Sequence, residues 1–160
     1  MPKLDSEASL LASVFDRLLD EQPTQTKEPT LLHRQNVWQL KKTIARDLEA
    51  LLNTRMELLT ELPDEEMEVA RSILAYGLPD LTSMSIGDPK DRNRVRRSIE
   101  RAIEVFEPRL KNVRVALDPA RGRETVMHFR IQAVIPVEPT PEAVVFDTDL
   151  QIDSKRYVVR

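Results

Sequence analysis

Two carboxylate pairs in this sequence have a spacing that glycan hydrolysis could use. Glu104 with Glu107, and Glu65 with Glu68, stand three residues apart and would share a helix face. Most glycosidases flank the scissile bond with two such acids, one of them a proton donor. Sugar clefts also need aromatic platforms, and the chain holds only one tryptophan, two tyrosines and four phenylalanines. Phe15, Phe106, Phe129 and Phe146 all fall on apolar stripes that read as core. Glu65 and Glu68 fit the first turn of a helix, where acids complement the helix dipole. Glycan hydrolysis is therefore the lesser reading.

Other reactive constellations are missing. His33 sits in a polar stretch and His128 on the polar side of a strand pattern, neither with a partner at metal-ligand spacing. Gly77, Gly87 and Gly122 each stand in a turn context, so no glycine-rich phosphate loop exists. No serine occupies a nucleophile elbow. The chain has no cysteine. Disulfides and thiolate metal sites are excluded, and a reducing compartment is compatible. No catalytic residue, metal or cofactor is expected.

Two charged arrangements remain. Lys90, Arg92, Arg94, Arg96, Arg97 and Arg101 make one helix densely basic. That face is either solvated or a docking surface for an acidic partner. With 24 basic and 27 acidic residues the net charge is -3, which favours a protein over nucleic acid. Glu107-Pro108-Arg109 sets opposite charges on either side of a rigid proline where a helix gives way to a strand. It reads as an ordinary connection or as a Glu/Arg pair presented for bidentate pairing across an interface.

The elements that must position these groups follow from hydrophobic period. Leu11, Val14, Phe15, Leu18 and Leu19 give one helical stripe over 6–20. Residues 22–36 are polar with two prolines and read as a linker, leaving 1–21 as a detachable docking helix. A helix over 36–54, capped by Asn36, turns Val37, Leu40, Ile44, Leu48, Leu51 and Leu52 inward. A third is expected over 64–75, with Asp64 as cap and Met67, Ala70, Ile73 and Leu74 inward, ending at Tyr76-Gly77-Leu78-Pro79. A fourth starts at Asp88-Pro89, buries Val95, Ile99, Ala102, Ile103 and Phe106, and ends at Glu107 because of Pro108.

Beyond Pro108 the period falls to two. Val113, Val115 and Leu117, then Met127, Phe129, Ile131, Ala133 and Ile135, form a hairpin around Pro119-Ala120-Arg121-Gly122. His128, Arg130 and Gln132 mark its wet face. Val144, Phe146, Thr148 and Leu150 give a third strand, and 156–159 a short fourth. The expected fold is α+β: N-terminal helices, then a small antiparallel sheet of three to four strands, with 37–160 as its domain. The acidic start, Met1-Pro2-Lys3-Leu4-Asp5-Ser6-Glu7, does not resemble a signal peptide, and no apolar run approaches a membrane span. A cytoplasmic location is expected.

Several stretches taken together resemble a known family. Arg46-Asp47-Leu48-Glu49-Ala50-Leu51-Leu52-Asn53-Thr54-Arg55, Tyr76-Gly77-Leu78-Pro79-Asp80 and Phe106-Glu107-Pro108-Arg109-Leu110 occur in this order in the TssE subunits of type VI secretion baseplates. Val137-Glu138-Pro139 and Val145-Phe146-Asp147-Thr148 fit the same pattern, so the likeness runs from Leu11 to Leu150. The family includes a baseplate wedge protein of contractile phage tails. The resemblance implies a structural role: sitting in the wedge, contacting wedge and sheath subunits, and nucleating the contractile sheath. It implies that Glu107, Pro108 and Arg109 form a protein interface, and that the sheet resembles the sheath subunits' handshake domain, which interlocks by strand exchange. It implies no nucleic acid, membrane insertion or small-molecule substrate. An older lysozyme-like label for the family makes peptidoglycan cleavage the alternative.

A polar, proline-containing linker decouples what it joins. Deleting residues 1–22 is therefore expected to weaken binding to wedge subunits while leaving the thermal midpoint of the remaining domain nearly unchanged. Differential scanning calorimetry of the deletion variant checks this, and a large drop would place the segment in the core.

Overall fold

The computed structural model describes residues 10–11, 34–56, 68–80, 88–118, 126–137, 140–151 and 156–160. Two short strands, β1 (Leu10–Leu11) and β2 (Arg34–Gln35), pair antiparallel. Helix α1 (Val37–Asn53) follows, then two 3-10 turns at Val69–Arg71 and Ile73–Ala75, and helix α2 (Pro89–Phe106). Strands β3 (Lys111–Leu117), β4 (Val126–Ile135), β5 (Glu142–Gln151) and β6 (Arg156–Val159) form one antiparallel meander in the order β3-β4-β5-β6. The fold is α+β, with two helices ahead of a four-stranded antiparallel sheet.

Both helices begin as their caps dictate. Asn36 accepts a hydrogen bond from the Gln39 N–H at 2.8 Å, and Gln39 returns one to the Asn36 N–H at 3.0 Å. Asp88 accepts from the Lys90 N–H at 2.8 Å, ahead of Pro89 at the first helical position. Leu40, Ile44, Leu48, Leu51 and Leu52 of α1 and Val95, Ile99, Ala102 and Ile103 of α2 are buried. They pack on one face of the sheet, against Val113, Val115, Phe129, Ile131, Phe146 and Tyr157. Phe106 packs on this cluster half-buried. The other face of the sheet carries His128, Arg130 and Gln132 in solvent.

Three expectations need correction. Leu10 and Leu11 were to lie within a helix over 6–20, and Arg34 and Gln35 within a free linker. Instead the two pairs form a strand contact, with Leu10 opposite Gln35 and Leu11 opposite Arg34. Apart from Asn36, which caps α1, the remainder of that helix and linker lies outside the described residues. The helix over 64–75 is replaced, across its described part, by two 3-10 turns broken at Ser72. Ser72 is extended, and its hydroxyl accepts from the Leu74 N–H at 3.3 Å. That local bond competes with helix continuation. As a result Ile73 is 84% exposed and Leu74 59% exposed, where a continuous helix was to turn both inward. Asp64, Met67 and the turn after Leu117 lie outside the described residues.

The sheet's outer edges are covered by helix side chains. On β6, the Tyr157 N–H donates to Asn53 Oδ1 at 2.9 Å, and Asn53 Nδ2 donates to the Tyr157 carbonyl at 2.8 Å. Glu49 Oε2 accepts from the Val159 N–H at 3.3 Å. On β3, Glu100 Oε1 accepts from the Val115 N–H at 2.9 Å, while Arg96 holds the same carboxylate at 2.9 Å. Edge amides that could pair with another chain are thus partly occupied.

Tyr157, edge-to-face with Phe129 at 5.9 Å, gives the core an alkaline limit. Burial disfavours its phenolate and pushes its pKa up to about 12 from the ordinary 10. Below pH 10 the folded and unfolded phenols both hold the proton, so this contribution is complete. Between about pH 10 and 12 only the unfolded state releases it, and stability falls by about 1.4 kcal/mol per pH unit per group. Urea unfolding is expected to show this slope in the native chain, reduced in Tyr157→Phe.

Candidate interface site

At the carboxyl end of α2, the Glu107 N–H still donates to the Ile103 carbonyl at 2.8 Å. Pro108 has no N–H with which to extend the helix. The chain turns sharply, the Leu110 N–H returning to the Glu107 carbonyl at 3.1 Å, and Leu110 enters the core. This tight corner draws Glu107 inward until it is only 4% exposed. A buried carboxylate is costly unless it is paired and hydrogen-bonded.

Arg109 supplies that pairing from two residues away. Its Nε donates to Glu107 Oε1 at 2.6 Å, and its Nη2 donates to Oε2, a fork-on-fork pair. The same Nη2 donates to Asp47 Oδ2 on α1 at 2.5 Å. One guanidinium therefore ties the α2–β3 corner to a helix 62 residues earlier in the chain. Burial disfavours its charge, but the hydrogen bonds and field of Glu107 and Asp47 outweigh that and raise its pKa above the ordinary arginine value. Nη1 is buried without a hydrogen-bond partner, so part of the fork is unused.

The Tyr76–Asp80 stretch closes the same cluster. Tyr76 stands edge-to-face with Phe106, centroids 5.2 Å apart. Burial raises the pKa of its phenol, and the nearby carboxylates of Asp47 and Glu107 raise it further. Gly77 has φ +112°, and a Cβ there would lie 2.4 Å from the Thr54 carbonyl oxygen. Only glycine fits this approach. It lets the Leu78 N–H donate to the Thr54 carbonyl at 2.9 Å and the Met56 N–H donate to the Leu78 carbonyl at 2.8 Å. Arg55 and Asp80 add an ion pair beside these bonds.

Asp47 to Arg55, Tyr76 to Asp80 and Phe106 to Leu110 thus form one cluster. Glu107 and Arg109 face each other rather than standing open, while Pro108 is exposed and the Arg109 side chain retains 27% of its surface. Sequence spacing did not reveal Asp47 as the third member. No local signal joins it to Arg109, although it stands within the first motif.

The other candidates do not gather. Both oxygens of Glu107 are engaged by Arg109, an unsuitable arrangement for a general acid paired with the exposed Glu104. Glu68 is exposed, and Glu65 lies outside the described residues. His128 Nδ1 sits 2.6 Å from Asp149 on the open sheet face, and His33 is outside the described residues. Along the basic helix, Arg96 supports Glu100 and Arg94 lies 3.7 Å from Asp91, whereas Lys90, Arg97 and Arg101 face solvent. Among the described residues no helix is long and apolar enough to cross a membrane.

Fold and cluster together define a small α+β scaffold domain whose helix–strand corner is clamped from within. The chain belongs to the baseplate wedge protein gp25 family, whose model matches residues 38–140, more than half of the sequence. That match contains all three clustered stretches and stops before β5. A chain in the solved structure "The baseplate complex from the type VI secretion system" is similar in fold, at 23% identity and a TM-score of 0.52. The likeness covers 76% of this chain and 95% of that one. The comparison with curated proteins gives no match.

Arg109→Ala would leave Glu107 buried and unpaired. The expected loss is about 2–3 kcal/mol, below the usual range for a fully buried pair because Arg109 is partly solvated. The double variant Glu107→Gln/Arg109→Ala is expected to lose less than the sum of its single changes, since the two residues act on one interaction. Urea unfolding of the three variants measures this, and strict additivity would contradict the clamp.

Proposed function

We propose that the chain is a TssE-type structural subunit of a type VI secretion baseplate wedge, acting in the cytoplasm and starting assembly of the contractile sheath. Membership of the wedge family, with its three motif stretches gathered in one clamp, is the observation that carries this reading. The clamp holds the corner between α2 and β3 in one pose. Its exposed rim, Pro108 and the solvated part of Arg109, is the proposed interface, with the exposed Ile73 and Leu74, on the chain leading to Tyr76, as further apolar contacts. Other wedge subunits and sheath subunits are the partners.

Sheath subunits would join the sheet by strand addition, which needs free edge amides. Among the described residues, three backbone groups of β6 are held by Asn53 and Glu49, whereas side chains hold the Val115 amide alone on β3, through Glu100. Opening β3 breaks fewer bonds, and β3 leaves directly from the clamped corner. The sheath therefore adds at β3.

Arg109→Lys tests the proposal while keeping a charge beside Glu107, because lysine cannot span Glu107 and Asp47 with one planar fork. The variant is expected to stay folded and to co-purify with wedge subunits. Fluorescently tagged sheath should then form far fewer structures in cells, because the corner that presents Pro108 and Arg109 is no longer held in one pose. Normal sheath assembly would remove the motif from the interface. Absence of wedge subunits from the native pull-down would reject the baseplate role. Peptidoglycan turnover abolished by Glu107→Gln would favour the lysozyme-like alternative.

A further inference from the structure

A second surface lies along α1, beside the end of β6. There a groove of about 760 Å³ runs past Trp38, Lys41, Lys42, Arg46, Glu49 and Arg160. Trp38 is the chain's only tryptophan and is 69% exposed, although it stands on a helix whose other large apolar groups are in the core. Tryptophan is enriched among residues that dominate binding energy at interfaces. Ala45 and Ala50 also line the groove, and neither side chain is large enough to fill it.

The charges in this groove are one-sided. Four cationic side chains stand against a single carboxylate, and that carboxylate is turned toward the fold. Glu49 accepts from the Val159 N–H at 3.3 Å and lies 3.8 Å from Arg156. Lys41 holds its ammonium 5.7 Å from the centroid of the Phe146 ring, and Lys42 is exposed. Arg46 and Arg160 lie near Asp47 and Asp149, at 2.8 and 3.2 Å. Even with these neighbours, the charged residues that line the groove are four cations and one acid, on a chain that is negative overall.

The covered edge of β6 narrows what can bind. An added strand needs outward N–H and C=O groups, and those of Tyr157 and the N–H of Val159 are already bonded to Asn53 and Glu49. A helix satisfies its own backbone and binds through side chains alone. We propose that this groove receives an acidic amphipathic helix of a partner protein. An apolar side chain of that helix covers Trp38, and its carboxylates meet Lys41, Lys42 and Arg46. The inference rests on the groove alone and does not depend on the wedge assignment.

Because Trp38 is the only tryptophan, the full chain reports on its own groove. The probe is a synthetic amphipathic peptide with Glu on its polar face and a Leu stripe at helical spacing. Titration is expected to give a saturable blue shift of tryptophan emission, weakening as salt screens the charges. Lys42→Glu should reduce affinity by about tenfold with an unchanged thermal midpoint, and Trp38→Ala should abolish binding of the labelled peptide by anisotropy. Failure of the native chain to shift would overturn the proposal, as would equal binding of a peptide with Lys in place of Glu. Tighter binding of single-stranded DNA or phosphatidylserine vesicles would assign the groove to another class of partner. If deleting residues 1–33 red-shifts the free chain's emission, the groove is occupied by the chain's own N-terminal segment and the proposal fails.

Discussion

The guanidinium of Arg109 is the interaction on which the arrangement of helices and sheet depends. Pro108 ends α2 abruptly, and the tight turn behind it forces Glu107 into the interior. A carboxylate so placed needs a strong donor, and Arg109 is close enough to supply two N–H groups while reaching Asp47 with one of them. The ion pair fixes the angle at which the chain leaves α2 to begin β3. Asn112, with φ +54°, then bends the start of β3 where its pairing with β4 shifts register. Asparagine accepts that left-handed conformation more readily than most residues. Corner, bulge and sheet orientation are therefore coupled to one charged cluster.

The sheet is closed by a different device. Four antiparallel strands leave two free edges, each a template for association with other chains. Here the same helices that fill one face also send polar side chains over the rims. Asn53 matches both hydrogen-bonding groups of Tyr157 as a neighbouring strand would, across a separation of 104 residues. Glu100 does the corresponding work at Val115 with Arg96 behind it. The unequal hold on the two edges distinguishes them chemically. Under the proposed function that difference decides where another strand can enter, and under the groove proposal it explains why a helix docks beside β6.

Much of this fold was legible because its signals are local. Asn36 and Asp88 announced the two helix starts, and the leucine and isoleucine spacing identified the faces that are buried. Pro108 marked the change from helical to strand period, and alternation from Val113 to Leu150 placed the strands and their wet side. Where local preference was ambiguous, the reading failed. Residues 69–75 have helical spacing, but Ser72 offers its hydroxyl to the Leu74 N–H and the chain takes 3-10 turns, exposing Ile73 and Leu74. Leu10 and Leu11 suit an amphipathic helix, yet pairing with Arg34 and Gln35 overrides that preference.

The sequence by itself determined the two long helices, the four sheet strands and the faces they bury, and marked the corner at Glu107-Pro108-Arg109, since caps, prolines and hydrophobic period act over a few residues. Tertiary structure alone decided which partner each charge would have. Asp47 and Arg46 are adjacent in the chain, but only after folding does Asp47 meet Arg109 while Arg46 lines a groove with Trp38. Nor could spacing show that Gly77 must admit the Thr54 carbonyl, or that Asn53 would cover an edge strand at the far end of the chain. Hydrophobic burial is non-directional and can be read from pattern. Hydrogen bonds and ion pairs require defined distances and angles, which exist only once the backbone has closed around them.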